Sequence, residues 1–120
     1  MKSLTLFNRF RFAVDFHRIS CFNEDLISLR EITRKFADQE VAPLAHKTDV
    51  EDKFPHHLWK KFGELGLLGV TTPAKYGGSE LNYTAHSMIM EELSRASGSI
   101  ALSYGAHTAL CLAQITRHGN

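Results

Sequence analysis

The last part of the chain contains a long run of apolar and small residues with no charged side chain. No Asp, Glu, Lys or Arg occurs between Arg95 and Arg117, and Ala, Gly and Ser alternate there with larger apolar residues. A helix that is apolar on every side is typical of a buried element. The pattern predicts a central helix over residues 99–117, capped by the Ser-Gly-Ser run before it and ended by a left-handed Gly119. Its small side chains predict room against one side.

Apolar residues at helical spacing predict two helices in the first half of the chain. The first begins after the N-cap Asn23 and bends or ends near Pro43, because proline lacks the backbone N–H that a helix uses. Its apolar stripe is Leu26, Leu29, Ile32, Phe36 and Ala37. Arg30 and the other charged residues of this helix are expected to face solvent. The second helix begins at Pro55 and ends at Gly66. Its stripe is Leu58, Trp59, Phe62 and Leu65.

The remaining segments complete the predicted fold. Residues 46–53 are strongly charged and predict a loop, and residues 66–70 are short and apolar and predict an extended segment through the core. The glycine pair at residues 77–78 predicts a turn with positive φ. A third helix begins after Asn82 or Thr84 and precedes the uncharged one. The chain is therefore predicted to be an all-α bundle of about four helices.

The composition fits one ordinary globular domain. The chain has 120 residues, of which 43% are hydrophobic and 22% charged, and this is a common domain size. A net charge of +1 argues against a nucleic-acid partner, which would need a basic face. No apolar run approaches the length of a membrane span. Two cysteines do not form a disulfide framework, so a reducing compartment is the simpler interpretation.

The first 22 residues differ from the rest of the chain. They are rich in Phe and carry four basic residues against the single acid Asp15. A basic, amphipathic and acid-poor N-terminus is typical of a mitochondrial transit peptide. A frayed amphipathic N-terminus is the alternative. The predicted division is a leader over residues 1–22 and a helical domain over residues 23–120.

Several residues could carry chemistry, but their spacing favours structural roles. His107 and Cys111 lie one helical turn apart, yet a zinc site needs three or four ligands, so packing is the better interpretation. Glu91 and Glu92 are adjacent on a helix and point about 100° apart, which favours a solvated face over paired acid–base catalysis. The histidines at residues 56–57 are expected to be solvated. Spacing alone predicts no catalytic constellation and no metal site.

Three runs taken together resemble the N-terminal domain of the acyl-CoA dehydrogenase family. They are LGLLGVTTP at residues 65–73, YGG at 76–78 and MEELSRASG at 90–98. Within that family, SYGAH at residues 103–107, together with LC at residues 110–111, resembles the isovaleryl-CoA dehydrogenases most closely. The resemblance covers about residues 24–120 and rests on the order and spacing of several motifs.

The resemblance implies an FAD-dependent oxidoreductase of the mitochondrial matrix that is usually a homotetramer. Such an enzyme removes two hydrogens from an acyl-CoA, here a short branched one from leucine catabolism. A glutamate takes the α proton, the β hydrogen passes to the flavin as hydride, and electron-transferring flavoprotein accepts the electrons. The family has an N-terminal helical domain, a middle β domain and a C-terminal helical domain. The glutamate and most FAD contacts belong to the latter two, so no residue of this chain is assigned as the base.

The resemblance also implies a substrate-binding surface on the uncharged helix. Leu102 and Ala106, with Gly105 beside them, would meet the acyl group. The alternative is that these residues make ordinary helix–helix contacts. Without the middle and C-terminal domains, the 120-residue chain is expected to be inactive. Two other functions stay open: a stand-alone helical interaction module derived from this fold, and a dehydrogenase for another short-chain acyl-CoA.

Overall fold

The computed structural model describes residues 23–119, and all regular structure among them is helical. The helices are α1 (Glu24–Phe36), α2 (Ala42–Glu51), α3 (His57–Glu64), α4 (Tyr83–Ala96), α5 (Gly98–Gly105) and α6 (Ala113–His118). Two π-helical segments, Ala37–Val41 and Ala106–Leu112, join α1 to α2 and α5 to α6, and a 3₁₀ turn covers Ala74–Tyr76. The described residues thus form four continuous helical rods, and the all-α prediction is confirmed. The predicted transit peptide lies outside the described residues.

Side-chain caps begin three of the four rods where the sequence predicts them. The Asn23 side chain accepts a hydrogen bond from the Leu26 N–H at 3.0 Å, and Asn82 accepts one from the Ala85 N–H at 3.0 Å. Ser97 caps α5 in the same way. Each cap satisfies a backbone donor that the first turn of a helix leaves unpaired. Of the two alternatives for the third predicted helix, Asn82 is therefore the cap.

The first rod continues through Pro43 instead of ending near it. The π-helical segment brings the Ala42 N–H to the Ala37 carbonyl, and Pro43 occupies the first turn of α2, where a missing N–H costs little. The predicted charged loop over residues 46–53 is wrong, because α2 extends to Glu51. A left-handed residue, Asp52 with φ 50°, ends this rod.

The loop between α3 and α4 reverses the chain through turns. Residues 66–70 were expected to be extended, and this expectation is wrong. Gly66 has φ 70°, and the Leu67 N–H bonds back to the Phe62 carbonyl at 2.9 Å, so the chain turns at once after α3. Gly77 has φ 82°, as the glycine pair predicts. Gly78 does not have a positive φ, but it is required for space, since a Cβ there would lie 2.1 Å from the Thr72 oxygen.

The core lies where the first rod meets α3, α4 and α5. Its fully buried members include Leu58, Phe62, Leu67, Ile89, Leu93, Ile100 and Tyr104. Tyr104 packs its ring against Phe62 at 5.3 Å between centroids and donates a hydrogen bond to the Leu67 carbonyl at 2.7 Å. This hydroxyl therefore fixes α5 to the turn after α3. Two predicted stripe residues, Ile32 and Leu65, are exposed instead.

The uncharged helix is buried on one side only. Ile100, Ala101 and Tyr104 are fully buried, whereas Leu102 and Leu110 are 72% and 71% exposed. The expectation that this helix is buried on every side is wrong within the described residues, because α3 and α4 cover only the Tyr104 side. Gly119 is also not left-handed: its φ is −70° and its ψ 146°, so the rod ends in extended backbone.

Candidate functional site

The outer surface of the last rod is an uncovered apolar stripe. Leu102, Ala106 and Leu110 follow one another at intervals of four residues, and all three are exposed. We call these three residues the outer stripe. Two large side chains flank a small one, which leaves a shallow notch at Ala106. An exposed row of large apolar side chains on a soluble protein is typical of a surface that binds a ligand or another protein segment.

Gly105, the third predicted substrate-binding residue, faces a different direction. A Cβ at Gly105 would lie 2.9 Å from Cε and 3.2 Å from Sδ of Met90. Its missing side chain therefore leaves room for the flexible end of the Met90 side chain. The structure brings Leu102 and Ala106 together on the outer stripe and places Gly105 on the side toward Met90.

The π-helical segment Ala106–Leu112 contains two residues of the outer stripe, Ala106 and Leu110. Within it, the Thr108 hydroxyl donates a hydrogen bond to the Tyr104 carbonyl at 2.9 Å, and the Ala113 N–H bonds to the Thr108 carbonyl, five residues back. Such wide turns occur frequently at functional sites. The sequence reasoning missed Thr108. The available signal was a β-branched hydroxyl residue within an otherwise apolar run.

Two buried titratable groups lie at the inner side of this rod: Tyr104 belongs to the rod itself, and His86 belongs to the facing helix α4. Burial raises the pKa of the Tyr104 phenol well above its ordinary value. Burial also lowers the pKa of the His86 imidazole, which lies between the rings of Tyr83 and Tyr104, each 6.0 Å away. Both groups are therefore held neutral, and the inner side of the rod contributes packing without charge.

Glu92 does not lie on a solvated face, and this prediction is wrong. Its side chain is 2% exposed, against 64% for Glu91. Glu92 accepts hydrogen bonds from Arg30 at 2.7 Å and from Arg95 at 3.2 Å, and Arg34 lies 3.7 Å away.

Burial alone would raise the pKa of Glu92. The hydrogen bonds from Arg30 and Arg95 and the charge of Arg34 lower it, and together they outweigh burial, so the net shift is downward. Arg30, expected to face solvent, is instead half-buried between α1 and α4. Glu92 is therefore an ionised link between these helices and not a free base.

The histidines and the cysteine within residues 23–119 form no metal-binding cluster. The ring of His107 packs against Trp59 at 5.3 Å between centroids, and Cys111 is exposed. Within residues 23–119, no three His, Cys, Asp or Glu side chains are grouped closely enough to hold a metal ion. The histidines at residues 56–57 are exposed, as predicted. None of the helices in this part of the chain has the length and apolar character that a membrane crossing requires.

Comparison with known proteins decides the family. The model of the acyl-CoA dehydrogenase N-terminal domain matches residues 23–120, which include all of the described helices. The chain belongs to the acyl-CoA dehydrogenase family. The resemblance carried by the three sequence motifs is therefore confirmed.

Curated relatives cover the same region of this acyl-CoA dehydrogenase domain. The mitochondrial isovaleryl-CoA dehydrogenase of Pongo abelii is 45% identical over 104 residues, which are 85% of this chain and 25% of that protein. The corresponding protein of Arabidopsis thaliana is 47% identical over 100 residues, or 82% of this chain and 24% of that one. A mitochondrial 2-methylacyl-CoA dehydrogenase of Solanum tuberosum is 44% identical over 75% of this chain and 22% of its own length. The chain thus spans about a quarter of the length of these relatives.

The described clefts of this domain do not fit FAD. A cleft of about 440 Å³ lies where α2 ends and α5 begins, and it is lined by two carboxylates, Asp49 and Asp52, and one cation, Lys53. The diphosphate of a flavin dinucleotide is bound best by backbone N–H groups or cations, so a lining in which carboxylates outnumber the cation does not favour it. Two other clefts, of about 230 and 180 Å³, are smaller. None of the three is lined by a residue of the outer stripe.

Proposed function

We propose that this chain supplies the N-terminal helical domain of an FAD-dependent acyl-CoA dehydrogenase that acts on a short branched acyl-CoA such as isovaleryl-CoA. The enzyme would remove hydrogens from the α and β carbons of the acyl group in leucine catabolism. One observation carries this proposal: the outer stripe is an exposed apolar surface on a domain of this family. Relatives named for isovaleryl-CoA and 2-methylacyl-CoA support a branched substrate.

Leu102 and Ala106 would contact the hydrocarbon part of the substrate. Leu102 is 72% exposed, so covering it with an acyl group removes apolar surface from water, which is worth about 0.8 kcal/mol for each buried CH₂. The small Ala106 leaves space beside Leu102 for a branching methyl group. Gly105 would contribute indirectly, by leaving room for the Met90 side chain on the side of the rod away from the two contact residues.

The base and the cofactor site would lie outside residues 23–119. Glu92 is held by arginines, and Glu91 is paired with Arg30 at 2.7 Å on the opposite side of α4 from the core. Neither carboxylate is free to take a proton from a substrate on the outer stripe. FAD, when bound, accepts the hydride that leaves the β carbon. This domain's residues would bind and orient the acyl group and exclude water from it.

The oligomeric state, cellular location and electron acceptor are proposed from membership of the family. We propose a homotetramer in the mitochondrial matrix that passes electrons to electron-transferring flavoprotein. The relatives in Pongo abelii, Bos taurus and Arabidopsis thaliana are all named mitochondrial, and the basic first 22 residues are consistent with import.

Flavin absorbance tests the proposal. The complete polypeptide that the gene encodes is purified with added FAD and titrated anaerobically with isovaleryl-CoA. Bound flavin that bleaches on addition of the thioester is the expected result. A folded protein that binds flavin but is not bleached by isovaleryl-CoA or any other short acyl-CoA would contradict it. Isovaleryl-pantetheine without the nucleotide part of CoA serves as a weaker-binding control.

Two alternatives predict different outcomes. A relative in Clostridium acetobutylicum is named a short-chain-specific acyl-CoA dehydrogenase and is 35% identical over 91 residues, so butyryl-CoA is titrated in parallel. Faster bleaching by butyryl-CoA would favour a straight-chain enzyme. The exposed outer stripe would also suit a helical module that binds a protein. A soluble product that contains no flavin and ignores all acyl-CoA esters would favour that module.

A further inference from the structure

We infer that Thr108 is a positioning residue, whose hydroxyl holds the π-helical segment and thereby aligns Leu102, Ala106 and Leu110 into one straight stripe. The inference rests on the proposed function, since the stripe is the surface that would meet the acyl group. Thr108 itself is 4% exposed and lies on the inner side of the rod. It would act on the substrate only through the residues that it positions.

The hydroxyl of Thr108 takes part in the backbone hydrogen-bonding pattern. It donates to the Tyr104 carbonyl at 2.9 Å, an acceptor that the ordinary helical ladder would use. Further along, the Ala113 N–H bonds to the Thr108 carbonyl, five residues back. The hydrogen bond from the Thr108 hydroxyl to the Tyr104 carbonyl thus lies at the start of the π-helical segment. The bond from the Ala113 N–H to the Thr108 carbonyl lies at its end.

The wide turn changes which residues share a face. In a regular α-helix, residues four apart are displaced by about 40° around the axis, so positions 102, 106 and 110 would drift by about 80°. A π-helical turn contains more residues, so each residue turns the chain by less and the step from Ala106 to Leu110 reverses part of that drift. The nearly equal exposure of Leu102 and Leu110, 72% and 71%, agrees with this alignment.

The other end of the Tyr104 residue is also fixed. Its phenol donates to the Leu67 carbonyl at 2.7 Å, and its ring packs between Phe62 and His86. These contacts anchor the Tyr104 side chain in the core. The Thr108 bond to the Tyr104 carbonyl therefore ties the π-helical segment to an anchored residue.

A matched control exists in the first rod. The Thr33 hydroxyl donates to the Leu29 carbonyl at 2.8 Å, and Thr33 is fully buried. The bond has the same chemistry and spacing as that of Thr108, but Thr33 lies in α1, away from the outer stripe. Replacing either threonine by valine removes one buried hydroxyl and leaves a side chain of nearly the same shape.

The test compares Thr108→Val, Thr108→Ser and Thr33→Val in the complete polypeptide. The readouts are the ratio of kcat/KM for isovaleryl-CoA to that for octanoyl-CoA, and the melting temperature. We expect Thr108→Val to change this ratio about fivefold. Adding or removing one methylene of the substrate in a hydrophobic pocket changes such a ratio about tenfold or more, and an indirect shift of the contact residues should do less. Thr108→Ser, which keeps the hydroxyl, and Thr33→Val should keep the wild-type ratio. Thr108→Ala is measured in parallel in case the valine variant does not fold.

The outcomes separate this inference from the function on which it rests. An active wild type whose ratio is unchanged in Thr108→Val and Thr108→Ala, despite a lowered melting temperature, would show that Thr108 only stabilises the fold. A wild type inactive toward every acyl-CoA would overturn the proposed function and this inference with it. A crystal structure of Thr108→Val provides a readout independent of activity. We expect an α-helical register over residues 106–112 with Leu110 rotated away from Leu102, and an unchanged π-helical segment would contradict the inference.

Discussion

At the residue scale, buried ionised and neutral groups connect the rods. Glu92 joins α4 to Arg30 of α1, and His86 lies between two tyrosine rings at the contact of α4 with the last rod. The sequence places both residues on α4 but does not reveal their surroundings. Which helix face is solvated depends on the neighbouring rod, and the spacing within one helix carries no information about that neighbour.

Removing the charge of Glu92 should destabilise the domain. Glu92→Gln leaves three partly exposed arginine side chains without their shared carboxylate, and we expect a loss of about 2 kcal/mol in the free energy of unfolding, below the 3–5 kcal/mol of a fully buried pair. Glu91→Gln removes an exposed pair and should cost less than about 1 kcal/mol. Urea unfolding of both variants at pH 7 measures the difference. Equal costs would contradict the assigned role of Glu92.

The lowered pKa of Glu92 gives this stabilisation a pH dependence. Because the folded-state pKa lies below the ordinary value of 4.5, the contribution is fully present above that value and is lost as the pH falls through the lowered one. Glu92→Gln should therefore differ least from wild type at the most acidic pH at which both still fold.

His86 should make the domain sensitive to mild acid. Burial lowers its pKa below the ordinary value of 6.5, so the unfolded chain takes up a proton that the folded chain resists. The free energy of unfolding should therefore fall as the pH drops below 6.5 and be unaffected by this group above it. His86→Gln should flatten that pH dependence, whereas His57→Gln, at an exposed position, should not. Urea unfolding between pH 5 and 8 measures both, and parallel curves for His86→Gln and wild type would refute this assignment.

At the element scale, local signals identify where helices start but not how far they run. Asn23, Asn82 and the serine before α5 cap their helices as predicted, because capping depends on residues within one turn. Pro43 does not end the first rod. The π-helical segment before it ends with a bond from the Ala42 N–H to the Ala37 carbonyl, and Pro43 then lies in the first turn of α2, where no N–H is needed. The positions of such wide turns depend on buried contacts, so the spacing of apolar residues could not reveal either one.

The turn after α3 makes a sharp prediction about glycine. Gly78→Ala should cost about 3 kcal/mol or more, since its Cβ would lie 2.1 Å from the Thr72 backbone oxygen and a backbone atom cannot move aside cheaply. Gly77→Ala should cost about 1 kcal/mol, because only its φ of 82° opposes a side chain. Gly98→Ala meets nothing within 4 Å and should be neutral or slightly stabilising in the first turn of α5. Thermal melts of the three variants check this order, and a Gly78→Ala variant as stable as Gly98→Ala would contradict the packing.

At the scale of the whole molecule, the last rod is half core and half uncovered surface. The sequence predicts a helix with room on one side. The outer stripe is exposed, but no cleft described above is lined by it, so a pocket along this helix stays a prediction. The sequence could not predict which residues face outward, because a run without charges shows no polar face to mark the boundary. Gly105 illustrates this limit: only the position of Met90 on α4 reveals the side to which it belongs.

An uncovered outer stripe should make the isolated 120-residue chain self-associate. Leu102→Ser combined with Leu110→Ser removes two exposed leucines and should reduce that association. Val50→Ser combined with Tyr76→Ser is the matched control, since these side chains are 70% and 67% exposed but lie on separate elements. Sedimentation velocity over a range of concentrations measures the effect. A wild-type chain that stays monomeric throughout would contradict an exposed apolar stripe.

The central claim is that the outer stripe contacts the acyl group of the substrate. The most direct measurement is the acyl-chain preference of Leu102→Ala in the complete, flavin-loaded polypeptide, beside Val50→Ala as a control on a remote exposed residue. We predict that Leu102→Ala raises kcat/KM for octanoyl-CoA relative to isovaleryl-CoA by roughly tenfold, while Val50→Ala changes neither value. Unchanged preference in a Leu102→Ala enzyme that retains its flavin and its melting temperature would contradict the account.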